Sequence, residues 1–328
     1  MILRHLFMRP LFRIVPDNTR VPFMRGRITG LLVSAVLSTL SVVLFFYPGL
    51  NLGIDFRGGV VMEARTPGPA DFAKIRAALS GEHLDESGVQ RFGEANDVLI
   101  RMESQPNEAA TQAAADRVRA SLEQAIPGTK LLRVDAVGSS VSAELFRNGM
   151  LALGISLLMI LVYIWFRFEW EFAIGAVVTL LLDVTKTIGF LAITRIQFDL
   201  VMVAAILTII GYSTNDKVVV YDRVRENLRK YRSMPLRELI DVSINETLNR
   251  TLGTSSTVFL ASLPLALFGG QTLSGFAWTM LFGIVVGTSS SIFIAAPILL
   301  FLGEHRLRRD AQNAPAPKPV RTMRPGGA

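Results

Sequence analysis

The sequence predicts a polytopic α-helical membrane protein of six transmembrane helices, with one small α+β, ferredoxin-like domain inserted after the first. Three observations carry that prediction. Half of the 328 residues are hydrophobic, the mean hydropathy is +0.41, and the apolar residues fall in runs long enough to span a bilayer. The basic residues cluster between those runs. One stretch of about 95 residues breaks the pattern with mixed charge and short alternating segments.

Residues 1–27 carry six arginines against a single acid, Asp17. Residues 28–47 are then apolar for about 20 positions, enough to cross a membrane. Basic-then-apolar order also fits a signal peptide. The run is too long for that, and no small-x-small site precedes Tyr47-Pro48-Gly49. The reading is therefore an uncleaved anchor with its N-terminus in the cytoplasm. Gly30, Ser34 and Ser38 make a small-residue face for close helix packing.

Residues 48–144 hold ten Lys/Arg and fourteen Asp/Glu and read as a soluble domain. Leu52–Phe56 and Val60–Arg65 are predicted strands around a hairpin turn at Arg57-Gly58-Gly59. Asp55 reads as a turn residue, not as an acid catalyst. Pro69–Leu79 and Glu108–Ile126 are predicted helices, the second stopped by Pro127-Gly128. Gly88–Phe92, Val98–Met102 and Leu131–Val137 are predicted strands. The order β-α-β-β-α-β is ferredoxin-like.

The remaining spans are predicted at 149–166, 172–193, 198–221, 252–268 and 273–302, with a polar loop at 222–250. The tail, 303–328, is basic and rich in Pro and Ala, so disorder is expected there. Basic residues collect at 1–27, 222–250 and 303–328, whereas loops 194–197 and 269–272 share one arginine. By the positive-inside rule both termini face the cytoplasm and the domain faces the periplasm.

The same rule explains the net charge of +7 better than nucleic-acid binding does. The absence of Cys excludes thiol catalysis, disulfides and iron–sulfur clusters. His5, His83 and His305 lie outside the apolar spans and lack metal-ligand spacing, so no metal site is expected. No nucleophile–base pair is visible, so no enzyme activity is expected either.

The chain is organised around residues 208–227, TIIGYSTNDKVVVYDRVREN. Here Asn215, Asp216 and Lys217 interrupt an apolar span. A charge at a helix centre costs about 2.5–3.5 kcal/mol on insertion scales, so it is rare unless it works. Thr208, Tyr212 and Asp216 recur at helical spacing and make one polar stripe. Gly175, Thr179, Asp183 and Thr187 make another in the third span, where Lys186 follows Asp183 at i+3. Arg250 opens the fifth span, where its long side chain either reaches towards Asp216 or snorkels to the membrane interface. An acid, a nearby arginine and a second intramembrane acid make a candidate proton relay, while Asp183 and Lys186 also read as a buried structural ion pair. Lys217 is open to two placements, towards headgroups or into the bundle. Gly283, Gly287 and Ser291 read as small-residue packing.

GYSTNDKVVVYDRVREN at 211–227 resembles the signature of the SecF branch of the SecD/SecF protein-export family. So do GIDFRGG at 53–59, Arg167-Phe168-Glu169, and SINETLNRTLGTS at 243–255. The resemblance covers nearly the whole chain. It implies a bacterial inner-membrane protein of the resistance-nodulation-division type, without a cofactor and driven by the proton gradient. The implied partners are SecD, the SecYEG channel, the SecA motor and preprotein substrates, within the lipid bilayer and without nucleic acid. The family's proton-handling acid and arginine match Asp216 and Arg250, and the acid of its third span matches Asp183. Two positions depart from the family pattern: Leu182 where a histidine is common, and Lys217 where a small or hydroxyl residue is commoner. Two other readings remain, half of a small-molecule exporter and a scaffold for SecD and the channel.

A topology reporter fused after Ser87 is expected to behave as periplasmic, and one after Lys230 as cytoplasmic. A cytoplasmic signal at Ser87 overturns the six-span arrangement.

Overall fold

The computed structural model describes residues 16, 19–80, 84–91, 93–103, 105 and 107–302. The three histidines, most of the basic N-terminal run, Phe92 and the 303–328 tail lie outside the described residues. Among the described residues, six helices are long and apolar enough to cross a membrane. The first, α1 (Arg27–Phe46), follows a short 3-10 turn at Phe23–Gly26. Its small-residue face packs as expected. Ser34, Ser38 and Ser41 are buried, and a Cβ on Gly30 would press on the Phe293 side chain at 2.9 Å.

Past the membrane the chain departs from the predicted hairpin. Only Asn51–Leu52 is a strand, β1, and Ile54–Arg57 form a single helical turn, α2. The expected strand over Leu52–Phe56 fails because its partner is not the following strand. The two-residue β1 pairs in parallel with β6 (Gln197–Phe198), in the turn between the third and fourth spans. Gly58 and Gly59 have φ of +73° and +121°, and they turn the chain from α2 into the next strand, β2. That conformation suits glycine, which has no Cβ to clash.

The domain proper runs β2 (Gly59–Arg65), α3 (Phe72–Ala78), β3 (Leu84–Arg91), β4 (Asp97–Met102), α4 (Glu108–Ala125) and β5 (Lys130–Val137). The sheet order is β3-β4-β2-β5 and every pairing is antiparallel. This is the ferredoxin-like arrangement. Alternation sends Val60, Met62 and Ala64 of β2, with Val98, Ile100 and Met102 of β4, to one face. That face meets Ile75, Leu79, Ala114, Val118 and Leu122. Asp71 caps α3 by accepting the backbone N–H groups of Ala73 and Lys74, and Asn107 caps α4 by accepting that of Ala110.

The chain re-enters the bundle through α5 (Ser139–Arg167) and returns in α6 (Trp170–Thr194). After β6 come α7 (Leu200–Lys230) and α8 (Leu236–Phe268). The last helix, α9 (Gly270–Ser290), runs into a π turn at Ser291–Ala295 and continues to Leu302. The region expected as a polar loop, 222–250, is thus a helical hairpin with its turn at 231–235. Leu236, Leu239, Ile240, Ile244 and Leu248 form its apolar stripe and pack on Val220, Val224 and Leu228. The many basic residues on its outer face hide that 3–4 spacing in the sequence. Asn227 donates to Ser243 Oγ at 3.0 Å and to Glu246 Oε2 at 2.7 Å, which ties the two arms together.

Roughly half of the membrane stretch of α6, α7 and α9 is buried, against about a tenth in α5 and α8. These three helices therefore form the inside of the bundle. Contact there is close: a Cβ on Gly189 of α6 would overlap the Ser41 side chain of α1, and one on Gly283 of α9 would overlap Ile209 of α7.

The domain has a core of its own, so two substitutions separate it from its surface. In the segment 58–138, Ile100→Ala is expected to cost about 2–5 kcal/mol in denaturant unfolding. Leu132→Ala, at a half-exposed position of β5, is expected to stay within about 0.5 kcal/mol.

Candidate functional site within the membrane bundle

The residues expected at the centre of the membrane form two polar clusters, one on each side of α7. Successive residues of a helix point about 100° apart, so Asp216 and Lys217 serve different neighbours.

The first cluster surrounds Asp183 of α6, which is fully buried. Its Oδ2 accepts three hydrogen bonds: from Lys217 Nζ at 2.8 Å, Ser213 Oγ at 2.8 Å and Ser290 Oγ at 2.7 Å. Lys217 also contacts the Ser213 hydroxyl closely and reaches Ser290 Oγ at 3.3 Å. Lys217 is thus a bundle residue rather than a headgroup residue. Lys186 forms the expected i+3 ion pair with Asp183, at 3.9 Å from Oδ1 and without a hydrogen bond. Oδ1 itself has no hydrogen-bond partner among the described residues. The stripe Gly175, Thr179, Asp183 and Thr187 does share the buried face of α6. Thr179 and Thr187 donate to the carbonyls of Gly175 and Asp183, one turn back along the helix.

The second cluster surrounds Asp216, also buried. Its polar neighbours are Thr251 of α8 and Ser291 at the start of the π turn. Its Oδ2 has no hydrogen-bond partner among the described residues. One turn towards the domain side, Tyr212 Oη donates to Ser255 Oγ at 2.6 Å, and Ser255 Oγ lies 2.7 Å from Thr288 Oγ1. The expected stripe therefore divides. Tyr212 and Asp216 face α8 and α9, whereas Thr208 is exposed and bonds only its own helix, at Ala204 O. Asn215 is exposed as well.

Arg250 does not join Asp216 in this structure. It is exposed, and among the described residues no ion pair or hydrogen bond links the two side chains. The physical reason is helical phase: Thr251, the next residue, takes the inward position and Arg250 points off the bundle.

Sequence reasoning did not assign Ser213, Ser290, Thr251 or Ser255 to the site. Ser213 lies one turn before Lys217, and that spacing was a usable signal. Ser290 and Ser291 were hidden in a run of small residues that also packs the helices. Here they do both: a Cβ on Gly287 would meet Ser213 Oγ at 3.1 Å. The π turn begins between Ser290, which serves Asp183, and Ser291, which neighbours Asp216. Such turns recur at functional sites in helices.

The site is also tied to the domain. Asp55 Oδ2 accepts the backbone N–H of Leu200, the first residue of α7, at 3.1 Å. Gly53 N donates to Phe198 O at 2.8 Å, next to the β1–β6 pairing. Phe56 packs on Phe198 and Phe146. Asp55, expected to serve a turn, instead holds the start of the helix that carries Ser213, Asp216 and Lys217.

Fold and site together define an integral membrane protein that keeps ionisable side chains inside its helix bundle. The chain belongs to the SecD/SecF family of protein-export membrane proteins. The family description "Protein export membrane protein SecD/SecF, C-terminal" matches residues 117–305, and the "SecD/SecF GG Motif" matches residues 43–66. The chain is 41% identical over 298 residues to protein translocase subunit SecF of Rickettsia felis, covering 90% of this chain and 96% of that one. It is 44% identical over 304 residues to protein translocase subunit SecDF of Brucella abortus, covering 92% of this chain but 40% of that longer protein. The crystal structure of SecDF from Thermus thermophilus superposes with a TM-score of 0.79 at 30% identity, over 92% of this chain and 41% of that one.

The Asp183–Lys217 pair makes a direct prediction. Lys217→Met removes the hydrogen-bonded cation of a buried carboxylate, leaving only Lys186 at 3.9 Å, and is expected to cost about 3–5 kcal/mol. The double variant Asp183→Asn, Lys217→Met is expected to recover most of that loss. Thermal unfolding in detergent reads both, and equal loss in the single and double variants removes the ion pair from the account.

Proposed function

We propose that the chain is an accessory subunit of the protein-export machinery that couples the proton gradient to preprotein translocation. It acts with SecD beside the SecYEG channel and the SecA motor, in the bacterial inner membrane. Its termini are cytoplasmic and its α+β domain is periplasmic. It needs no cofactor and performs no enzymatic chemistry.

One observation carries this reading. Asp183 and Asp216 are both buried in the bundle, and each keeps one carboxylate oxygen free of hydrogen bonds among the described residues. A buried oxygen without a hydrogen bond is open to a proton, and that of Asp183 also faces Lys186 Nζ at 3.9 Å. Protonation of Asp183 would release Lys217 from its partner. Protonation of Asp216 would remove the negative charge beside the Thr251 and Ser291 hydroxyls. Both changes act on α7, and the Asp55 contact and the β1–β6 pairing lead from α7 to the periplasmic domain. Moving one charge through the membrane potential supplies about 2.3 kcal/mol per 100 mV. The names carried by relatives, translocase subunits SecF and SecDF, support the export assignment.

Asp216→Asn keeps volume and hydrogen bonding but cannot exchange a proton. It is expected to abolish gradient-dependent stimulation of preprotein translocation in membrane vesicles, while the protein stays in the membrane and bound to SecD. Arg250→Lys is expected to impair that stimulation, and Arg250→Ala to impair it more. Normal gradient-driven export by Asp216→Asn makes the acid structural and favours a scaffold instead.

A further inference from the structure

The segment that leads into α1 is tied to α8 through its backbone. Val21 and Asn245 exchange two hydrogen bonds: Val21 N donates to Asn245 Oδ1 at 3.0 Å, and Asn245 Nδ2 donates to Val21 O at 2.9 Å. Met24 N donates to Asp241 Oδ1 at 2.8 Å, one turn earlier on α8. Asn245 Nδ2 also donates to Asp241 O at 2.7 Å, which fixes the amide in place. These bonds hold peptide groups, so they pin the path of the chain.

What they pin is a buried wedge. Met24 is fully buried in the apolar core that α7, α8 and the π turn share. Phe23 packs edge-on against Phe293 of the π turn, with ring centroids 6.1 Å apart. The 3-10 turn Phe23–Gly26 thus sits against both α8 and the π turn. Those two elements carry Thr251 and Ser291, the polar neighbours of Asp216.

The surroundings of Asp216 differ along the bundle. Towards the domain lies a chain of hydroxyls, from Tyr212 Oη to Ser255 Oγ at 2.6 Å and on to Thr288 Oγ1 at 2.7 Å. A hydroxyl both donates and accepts, so such a chain can pass a proton. Away from the domain the helices present an apolar layer: Val220 and Val224 of α7, with Ile244 and Leu248 of α8, all buried. Met24 enters that layer from the side of α1. Thr247 and Tyr221 lie near it, but their hydroxyls are taken by carbonyls, Ser243 O at 3.0 Å and Ala295 O at 3.1 Å. Beyond the layer the interior is polar again, where Asn227 meets Ser243. A charge that enters an apolar layer loses its solvation and finds no partner there.

We propose that Met24, pinned by Asp241 and Asn245, seals Asp216 against the cytoplasm, so that in this conformation the acid exchanges its proton through the hydroxyl chain on the domain side. Asp241 and Asn245 are positioning residues that act through Met24. The inference rests on the proton-coupled reading of the site and adds to it the barrier that keeps a gradient from leaking through Asp216.

Proton leak tests it. In sealed vesicles holding the complete export machinery but no preprotein, the decay of an imposed proton gradient is followed with a pH-sensitive dye. Met24→Ala is expected to speed that decay several-fold, and Asn245→Ala to speed it less. Met24→Leu refills the volume and is expected to rescue the seal. Asp216→Asn added to Met24→Ala is expected to abolish the extra leak, which a packing defect alone would not require. Met24→Ala opens a cavity in the core, whereas Asn245 is half-buried at the end of the strap, so Asn245→Ala with and without Asp216→Asn carries the test if Met24→Ala fails to assemble. Assembled variants whose vesicles hold the gradient as well as wild type overturn the seal. An extra leak that survives Asp216→Asn overturns it too, because the proton then bypasses the acid. The two readings fail separately. Tight variant vesicles, with gradient-stimulated export that Asp216→Asn abolishes, strike the seal and leave the coupling. An extra leak that needs Asp216, alongside wild-type export that ignores the gradient, strikes the coupling and leaves the seal.

Discussion

A carboxylate and an ammonium group cannot stay apart in hydrocarbon. Asp183 sits on α6 and Lys217 on α7, and desolvating either alone costs several kcal/mol. Their contact at 2.8 Å therefore sets the rotational phase of both helices. Ser290 adds a third helix, because its hydroxyl donates to the same carboxylate oxygen. The three helices that share this cluster are also the three most buried. Small residues make the approach possible: Gly287 leaves room for Ser213, and Gly283 for Ile209.

With that phase set, Asp216 points about 100° round α7 from Lys217 and meets α8 and the π turn. One rotation of α7 would move both acids with respect to their neighbours. The clusters are thus mechanically coupled though they share no hydrogen bond. Towards the domain side, α7 begins at a capped and clamped end. Asp199 caps it from within by accepting Met202 N, and Asp55 holds Leu200 N from the stem of the domain. Carboxylates at a helix N-terminus also suit its dipole. The GIDFRGG run joins two bodies: Gly53 and Asp55 bond the bundle, and Gly58 and Gly59 turn the chain into the sheet.

The spans themselves were legible in the sequence. Their length and apolar content answer to bilayer thickness, and basic residues mark their ends. The ferredoxin-like domain was legible too, because alternation in Val60–Ala64 and Val98–Met102 and the Pro127-Gly128 stop are local signals. Asp183 and Asp216 stood out because each is a charge in a greasy run. The strand over Leu52–Phe56 and the loop over 222–250 were misread for physical reasons. The first pairs with residues 197–198, far along the chain, and the second hides an apolar stripe behind a basic face.

By itself the sequence determined which segments enter the membrane, how the domain is ordered, and which helix faces are polar. These follow from periodicity within one element. Only the tertiary structure decided which polar residues meet. Lys217, 34 residues away, joins Lys186 at Asp183 and makes the closer contact, and Ser290 reaches the same acid from 107 residues away. Thr251 rather than Arg250 turns towards Asp216. Such choices depend on the relative rotation of packed helices, where one residue's shift is about 100°. Helical spacing fixes a stripe on one helix but leaves open which neighbour that stripe will face.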